Sequence, residues 1–330
     1  MDCLPTDARN ARMRDMRSEL TANDLRFTPP QLPRDLLQRF LDDRWGVTGT
    51  FKSLPGERDQ NFLVCTDDDT RYVLKVSSPI EDSILVDFQV QAMLHLEGVD
   101  PEIPVPRVCH SLDGTAVKTL RTSEGEHAVR LLSWVHGVRL DDAGPASPEV
   151  IAQIGALQGR MCKAFAGFRH AGASHFMPWS TLNWLVVSRE LCSRYLLDGL
   201  AERCAPALQR LEKESLPRLL ALPRQTIHND AHSGNVLCDP DAPGTVAGVI
   251  DFGDLIEGPL VVDLATSLAS ILDHSKTPLE AAAVLVRGFE SQLALPDEQR
   301  ELLYDATLAR AIMIVQLLGF RAEHTEVDQE

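Results

Sequence analysis

The chain has 330 residues, of which 44% are hydrophobic and 24% are charged, and its formal net charge is −16 at pH 7. These proportions are those of a globular protein long enough for two lobes with separate cores, and they exclude a largely disordered chain. Because nucleic-acid backbones are bound by basic surfaces, the acidic balance argues against a nucleic-acid partner and is compatible with a cationic small molecule.

Cysteine usage and hydropathy indicate the compartment. Seven cysteines are scattered along the chain, and no two are spaced as Cys-x-x-Cys. This pattern is typical of reduced thiols and predicts neither a disulfide framework nor a zinc site. The first residues lack the apolar segment of a signal peptide, and no window approaches roughly 18 uncharged apolar residues. We therefore expect a cytoplasmic protein without a membrane partner; its oligomeric state cannot be read from the sequence.

The first part of the chain is predicted to be rich in strands. Residues 1–29 are polar and without sustained periodicity, which indicates an N-terminal arm. After them, the three short β-like runs over 47–54, 60–66 and 71–77 are separated by Gly and Asp clusters, a pattern typical of an antiparallel meander. The predicted N-lobe, residues 30–133, contains helices over 33–46 and 79–98 and strands over 47–54, 60–66, 71–77, 115–122 and 127–135.

Beyond residue 134 the apolar residues recur with the helical period, and we predict a mostly α-helical C-lobe over 134–330. Ser147 and Pro148 are suited to the N-cap and first position of its first helix. The fold class is therefore α+β and bilobal, with a cleft between a β-rich N-lobe with one long helix and the helical C-lobe. The predicted C-lobe elements are helices over 146–168, 184–222, 259–273, 277–294 and 297–319 and strands over 235–239 and 245–251.

Oxygen-bearing side chains concentrate in two motifs of the C-lobe, "HNDAHSGN" (228–235) and "VIDFGD" (249–254). Carboxylates and a carboxamide near strand ends can supply the oxygen ligands that Mg²⁺ prefers. A further aspartate in the first loop can accept the proton of a substrate hydroxyl, and phosphoryl transfer needs both functions. The spacing Asp-x4-Asn, followed by Asp-Phe-Gly, is typical of the catalytic and metal-binding loops of the protein-kinase-like fold.

An alternative interpretation of the first motif is a metal-dependent hydrolase. His228, Asp230 and His232 form an H-x-D-x-H pattern that can hold zinc or a binuclear centre. The remaining histidines are isolated in the sequence, so the further ligands that such a centre requires are not evident.

The two motifs, together with "VVDLA" after them, resemble the aminoglycoside phosphotransferase and choline kinase superfamily of small-molecule kinases over roughly residues 35–320. The stretches "GERDQNFLV" and "RYVLKV" are most similar to the hydroxylysine kinase branch, which includes kinase domains fused to class III aminotransferases. The resemblance implies an ATP- and Mg²⁺-dependent kinase that phosphorylates a hydroxyl group of a small amine-bearing metabolite, such as hydroxylysine or an amino alcohol. An aminoglycoside-type antibiotic remains an alternative acceptor.

The resemblance also implies roles for individual residues of the motifs. Asp230 would be the catalytic base, and Asn235 and Asp251 would hold magnesium. Lys75 would bind the α- and β-phosphates of ATP from the third strand. A non-catalytic nucleotide-binding module, the remaining alternative, would be expected to lack one of these four residues, and the sequence keeps all of them.

Further positions follow from the same resemblance. The polar turn from Gly56 to Asn61 would lie over the triphosphate, and the backbone from Leu132 to Trp134 would bind the adenine. Two residues would support the catalytic loop structurally. Two acids would either bind a substrate ammonium or lie in solvent-facing turns. The supporting residues are His228 and Asp263, and the two acids are Asp254 and Glu257.

The sequence departs from the family pattern at two places. The helix after the lysine strand usually carries a glutamate that pairs with the lysine, and here it offers Gln89, Gln91 and Asp87. A glutamine can position Lys75 by a hydrogen bond, but without the strength of an ion pair. The second departure is Asn229, at a position where glycine is common in small-molecule kinases.

Overall fold

The structure, a computed structural model, describes residues 28–191, 199–272, 275 and 277–324. Nearly all of the predicted N-terminal arm lies outside the described residues. The described part has the predicted α+β, bilobal architecture, with an antiparallel sheet in the N-lobe and helices in the C-lobe.

The N-lobe is built on a six-stranded sheet. Its strands are β1 (Thr50–Leu54), β2 (Asp59–Cys65), β3 (Arg71–Ser77), β4 (Val108–Cys109), β5 (Lys118–Thr122) and β6 (Gly125–Ser133). The order is β1-β2-β3-β6-β4, with β5 paired to β6, and each of these pairs is antiparallel. The predicted antiparallel meander is therefore confirmed for β1, β2 and β3, whereas β6 follows β3 in the sheet by a crossover. The sheet ends where the predicted C-lobe begins.

The two faces of this sheet have different coverings, because successive side chains of a strand point to opposite sides. Helix α1 (Arg34–Trp45) packs on one face, where Leu74 lies in the same buried cluster as Leu37. Helix α2 (Ser83–Val99) packs against the C-lobe core, and its Phe88 joins that larger cluster. Lys75, one residue from Leu74, therefore points away from α1 and into the cleft between the lobes.

The C-lobe is mostly helical, as predicted. Its helices are α3 (Leu140–Ala143), α4 (Pro148–Ala164), α5 (Trp184–Leu191), α6 (Leu200–Arg210), α7 (Leu216–Ala221), α8 (Leu260–Ile271), α9 (Pro278–Glu290), α10 (Asp297–Arg300) and α11 (Leu303–His324). Ser147 caps α4 by accepting a hydrogen bond from the backbone N–H of Val150, with Pro148 at the first helical position, as expected. Helices α4 and α9 pack with their backbones in contact, since a Cβ on Gly155 would lie 2.1 Å from the carbonyl oxygen of Leu285.

Two predicted long helices are interrupted. The helix predicted over 184–222 consists of α5, α6, a π-helical turn at Leu211–Ser215 and α7, and residues 192–198 lie outside the described part. Pro217 at the start of α7 lacks a backbone donor, which accounts for the π-helical turn before it that apolar periodicity does not reveal, whereas α6 continues past Pro206. The helix predicted over 297–319 is likewise divided into α10 and α11.

Helix α11 is the one helix in the described part that is long and apolar enough to cross a membrane, with 50% of its apolar window buried inside the protein. Met313, Leu317 and Phe320 on this helix form a buried cluster with Trp184 and Val187 of α5. These contacts are those of a core helix of the C-lobe.

Two small sheets carry the motif loops. Their strands are β7 (Val138–Arg139), β8 (Gln225–Ile227), β9 (Val236–Cys238), β10 (Val246–Val249) and β11 (Ile256–Gly258). The first motif connects β8 to β9, and the second connects β10 to β11. Strand β9 pairs with β10 and β8 pairs with β11, so both loops leave the sheets on the same side. The backbone N–H of Ile250 donates to the carbonyl oxygen of Asn235 at 2.9 Å, which holds the loops side by side.

Candidate active site

A cleft of about 1270 Å³ lies between the N-lobe sheet and the two motif loops. Seven of the residues predicted for nucleotide and metal binding line it, although they come from distant parts of the chain. The predicted N-lobe contributes four of them and the predicted C-lobe three, and they are Gly56, Asn61, Lys75, Leu132, Trp134, Asn235 and Asp251.

Asp230 is fixed beside this cleft by hydrogen bonds to both of its carboxylate oxygens. The side-chain amide of Asn235 donates to Oδ2 at 2.7 Å and to the Asp230 carbonyl oxygen at 3.0 Å. Nη2 of the buried Arg310 donates to Oδ1 at 3.3 Å. Burial and the nearby Asp254 raise the pKa of Asp230 well above its ordinary value, while Arg310 acts in the opposite direction. A carboxylate with a raised pKa is a stronger proton acceptor, as general base catalysis requires.

Asn235 and Asp251 offer oxygen ligands to a cation. Because the Asn235 amide nitrogen is directed at Asp230, its Oδ1 is the atom that remains for a metal. The Asp251 side chain is 47% exposed, and its Oδ1 lies 3.3 Å from Nζ of Lys75. That ammonium group lowers the pKa of Asp251, and the exposure of the side chain leaves the carboxylate accessible to a cation. A carboxylate and an amide oxygen, completed by phosphates and water, suit the coordination of Mg²⁺.

The residues predicted to support the catalytic loop are buried and contact its backbone. His228 Nδ1 accepts from the N–H of Asp230 at 3.3 Å, and its ring packs on Phe252 with a centroid distance of 4.8 Å. Asp263 Oδ1 accepts from the N–H of Asn229 at 2.6 Å. Asn229 has φ 64°, a left-handed conformation that favours glycine and that asparagine tolerates, which explains the departure at this position.

The H-x-D-x-H pattern does not converge on a metal. His228 is directed into the protein interior, whereas His232 Nδ1 accepts from the N–H of Gly234 at 3.0 Å. Nε2 of His232 lies 3.7 Å from Asp230 Oδ2. Across the ranges that the structure describes, no group of three or more His, Cys, Asp or Glu side chains could hold a metal ion. The geometry gives no support to the hydrolase alternative.

The predicted nucleotide loop, whose tip (residues 55–58) connects β1 to β2, contacts the C-lobe through the two charged residues of that tip. Arg58 donates to the carbonyl oxygen of Gly253 at 3.1 Å and forms an ion pair with Asp254. Glu57 forms an ion pair with Arg321 of α11. The sequence does not reveal these contacts, because each joins residues nearly 200 or more positions apart.

The two acids proposed for a substrate ammonium already have partners. Asp254 is buried and pairs with Arg58, and Glu257 accepts a hydrogen bond from Ser174 Oγ at 3.0 Å. A substrate amine near Asp254 would therefore share its charge with Arg58. At the predicted adenine site, the backbone N–H of Trp134 donates to the carbonyl oxygen of Arg71 at 3.2 Å. Adenine could accept from this N–H only by replacing that bond.

Comparison with known proteins assigns the family. The profile of the phosphotransferase enzyme family matches residues 50–302, which include the nucleotide loop, Lys75 and both motif loops. The chain belongs to the phosphotransferase enzyme family. The predicted resemblance is thereby confirmed, and this phosphotransferase is a small-molecule kinase.

Relatives of this phosphotransferase include hydroxylysine kinase of Danio rerio, 24% identical over 292 residues that cover 85% of this chain and 82% of the relative. Homoserine kinase of Methylobacillus flagellatus is 31% identical over 234 residues, covering 71% and 66%. A microcompartment-associated aminopropanol kinase has a similar structure, with a TM-score of 0.69 at 18% identity, covering 87% of this chain and 90% of the other. The last similarity concerns the fold.

The Gly56 backbone gives a first test of the nucleotide loop in this phosphotransferase. A Cβ at this position would lie 2.1 Å from the carbonyl oxygen of Asp59 and 2.5 Å from Nδ2 of Asn61. Gly56→Ala is therefore expected to displace the loop and to raise the KM for ATP roughly tenfold or more, as overpacking of a tight site does. The matched control is Gly98→Ala, where a Cβ meets nothing within 4 Å. Equal KM values for both variants would contradict a role for Gly56 in nucleotide binding.

His228 predicts a pH dependence of stability. Burial lowers the pKa of His228 from 6.5 to about 4, so the unfolded chain takes up a proton at this residue before the folded protein does. The corresponding stability is complete above the unfolded pKa and is lost as the pH falls towards 4. We expect the loss from this residue between pH 7 and pH 5 to be about 2 kcal/mol.

Urea unfolding at both pH values measures this loss. In His228→Gln the decrease in unfolding free energy between pH 7 and pH 5 should be smaller than in the wild type by that amount. His110→Gln, at an exposed histidine, should behave as the wild type does. A decrease in His228→Gln as large as in the wild type would contradict the prediction.

Proposed function

We propose that this kinase transfers the γ-phosphate of ATP, with Mg²⁺, to a hydroxyl group of a small amine-bearing metabolite such as hydroxylysine or a related hydroxylated amino acid or amino alcohol. The observation that carries the proposal is the arrangement of Asp230, hydrogen-bonded to Asn235, beside the cleft in which Lys75 contacts Asp251. A proton acceptor, two oxygen ligands for a cation and a phosphate-binding cation are the groups that phosphoryl transfer requires.

The proposed step uses the protein groups as follows. The acceptor oxygen forms a bond to the γ-phosphorus, the bond from that phosphorus to the β,γ-bridging oxygen breaks, and ADP leaves. The hydroxyl proton passes to the carboxylate of Asp230, which Asn235 and Arg310 hold in one orientation. Lys75 binds the α- and β-phosphates. Magnesium, held by Asn235 and Asp251, would neutralise charge on the phosphates.

The amine on the acceptor is proposed from several observations. The net charge is −16, and Asp254 and Glu257 flank the catalytic loops. Hydroxylysine kinases from several vertebrates and a homoserine kinase are among the relatives, and the name of each states an amino acid as its substrate.

Two further parts of the proposal concern location and organisation. The scattered cysteines favour a cytoplasmic location. The end of β6 at Ser133 supports lobes over residues 30–133 and 134–330.

An ATP-consumption screen tests the proposal. The acceptors are hydroxylysine, homoserine, ethanolamine, choline and an aminoglycoside, each with Mg²⁺ and with EDTA. We expect Mg²⁺-dependent formation of ADP with a hydroxylated amino acid or amino alcohol, and a phosphorylated product by mass spectrometry. Phosphorylation of the aminoglycoside alone would contradict the proposed class of acceptor. Absence of turnover with all five acceptors would contradict the proposed reaction for these compounds.

A further inference from the structure

A charged cluster lies behind Lys75 in the N-lobe. Nζ of Lys75 is 3.4 Å from Oδ2 of Asp59, and the same oxygen accepts a hydrogen bond from Nη2 of Arg130 at 2.8 Å. The side chains of Lys75 and Asp59 are each 12% exposed, and that of Arg130 is 1% exposed. One carboxylate therefore contacts two cations in a site that is largely withdrawn from solvent.

Strand register explains why these side chains meet. Lys75 on β3 is directly opposite Arg130 on β6, and its other neighbour is Asn61 on β2. Asp59 lies two residues before Asn61 and so projects from the same face of the sheet. Two cations directly opposite each other on neighbouring strands repel, and an acid that contacts both removes that repulsion. Asp59 occupies this position, and Arg130 and Lys75 together hold its pKa well below the usual range.

The position of Asp59 is fixed from the other side through Arg130. Nη2 of Arg130 also donates to Oε1 of Gln89 on α2 at 2.8 Å, and Nη1 donates to Ser77 Oγ at 2.7 Å. Both Gln89 and Ser77 are buried. Helix α2 therefore reaches the lysine through a chain of hydrogen bonds from Gln89 to Arg130 to Asp59.

The other two candidate partners of Lys75 on α2, Gln91 and Asp87, have different contacts. Gln91 donates to Asp87 at 3.3 Å, and Asp87 lies 3.0 Å from Nε2 of His170. Both residues are exposed. The side chain of α2 that contributes to the cluster is thus Gln89, which is neutral and which bonds to Arg130 in the described contacts.

We propose that Asp59 is the acidic partner that positions Lys75 for the nucleotide phosphates, and that Arg130 and Gln89 orient Asp59 for this purpose. The proposal rests on the proposed ATP-dependent function of the same cleft. Lys75 contacts one carboxylate from each lobe, Asp59 at 3.4 Å and Asp251 at 3.3 Å. Of the two, Asp59 is the one that stays with the lysine when Asp251 binds a metal, because Arg130 anchors it.

The first experiment replaces Asp59 with asparagine in the full chain and measures binding of a non-hydrolysable ATP analogue with Mg²⁺ by calorimetry, together with steady-state kinetics. We expect the affinity for the nucleotide to fall roughly ten- to a hundredfold, the scale of one charge-assisted contact. The KM for the acceptor should stay unchanged. The matched control is Asp67→Asn, which makes the same chemical change at an exposed position of the β2–β3 turn.

A double-mutant cycle separates positioning from structural support. If Asp59 acts through Lys75, then Asp59→Asn should reduce nucleotide affinity in the wild-type background and have little further effect in Lys75→Met. If Asp59 only neutralises Arg130, Asp59→Asn should lower the melting temperature and leave nucleotide affinity unchanged in both backgrounds, which would overturn the proposal.

Asp59→Asn leaves Arg130 buried without an anion and could prevent folding, so a second variant moves the acid instead of removing it. In Asp59→Asn with Gln89→Glu, the carboxylate returns to the cluster from α2, within reach of the same Arg130 nitrogen. We expect this variant to fold and to recover at least part of the nucleotide affinity; a folded variant with no recovery would contradict the proposal. Because binding is measured without an acceptor, a wrong acceptor class would leave this result intact, whereas no nucleotide binding by the wild type would refute the proposed function itself.

Discussion

Replacement of Asp230 by alanine is expected to leave ATP binding intact and to lower the rate of phosphoryl transfer by about two to four orders of magnitude, the scale on which general bases act. The carboxylate is held by Asn235 and Arg310, and no backbone contact of the nucleotide loop depends on it in the described structure. The loss should therefore fall on kcat with little change in the KM for ATP. Single-turnover kinetics with the acceptor identified in the screen measure it.

Two further variants make this result specific. Asp241→Ala removes an acid of the same size from the surface after β9, where the side chain is 88% exposed, and should leave kcat unchanged. Asp230→Asn keeps the shape of the side chain, so its melting temperature should stay closer to that of the wild type while activity is lost. Undiminished turnover of either Asp230 variant would refute the assignment of this residue as the base.

Asp251→Ala is expected to abolish most of the Mg²⁺ dependence of nucleotide binding. Loss of a group that only supports a metal ligand costs roughly 10- to 100-fold in metal affinity, so loss of a ligand should cost at least as much. The measurement is the affinity for the ATP analogue over a range of Mg²⁺ concentrations. A wild-type Mg²⁺ response in Asp251→Ala would contradict the ligand assignment.

This substitution also removes the contact of Asp251 with Lys75 at 3.3 Å, and that effect has to be distinguished. Lys75→Met is the suitable comparison, because it breaks the same contact and keeps the carboxylate. We expect Lys75→Met to weaken nucleotide binding at every Mg²⁺ concentration, whereas Asp251→Ala should weaken it mainly where the metal would otherwise contribute.

The parts of the site that were predictable from the sequence are those whose residues lie close together in one motif. The Asp-x4-Asn and Asp-Phe-Gly patterns place Asp230, Asn235 and Asp251 in two loops, and strand pairing brings these loops together. The lysine strand was predictable because its apolar residues alternate. Each of these features depends on neighbours within a few residues, and local patterns record such neighbours well.

The parts that were not predictable depend on partners distant in the sequence. Arg310 lies 80 residues from Asp230, and the sequence alone presents it as the one charge in the apolar run 306–320. The contact of Arg130 with Asp59 spans 71 residues. An arginine placed among core residues is a signal that a buried acid must lie nearby, but the pattern does not identify which acid.

Helical periodicity also misjudged details where the surroundings decide burial. Ile84 is apolar and lies one helical turn before Phe88, yet it is 38% exposed, whereas the polar Gln89 is 7% exposed. The reason is that α2 packs through Phe88, Met93 and Leu96 into the C-lobe core and carries Gln89 to the buried arginine. The buried guanidinium of Arg130 requires hydrogen-bond acceptors, and this requirement, which the apolar pattern of α2 does not show, accounts for the burial of Gln89.

The ion pairs at the tip of the nucleotide loop determine how the loop is aligned against the C-lobe. Glu57 and Arg58 are neighbours of opposite charge. Glu57 pairs with Arg321, and Arg58 pairs with Asp254. A displacement of the tip by one residue would bring Glu57 towards Asp254 in one direction, or Arg58 towards Arg321 in the other. Either contact would be repulsive, so the two ion pairs favour the observed alignment of the loop against the C-lobe. The charges of Glu57 and Arg58 cancel, so the two ion pairs align the loop without giving its tip a net charge.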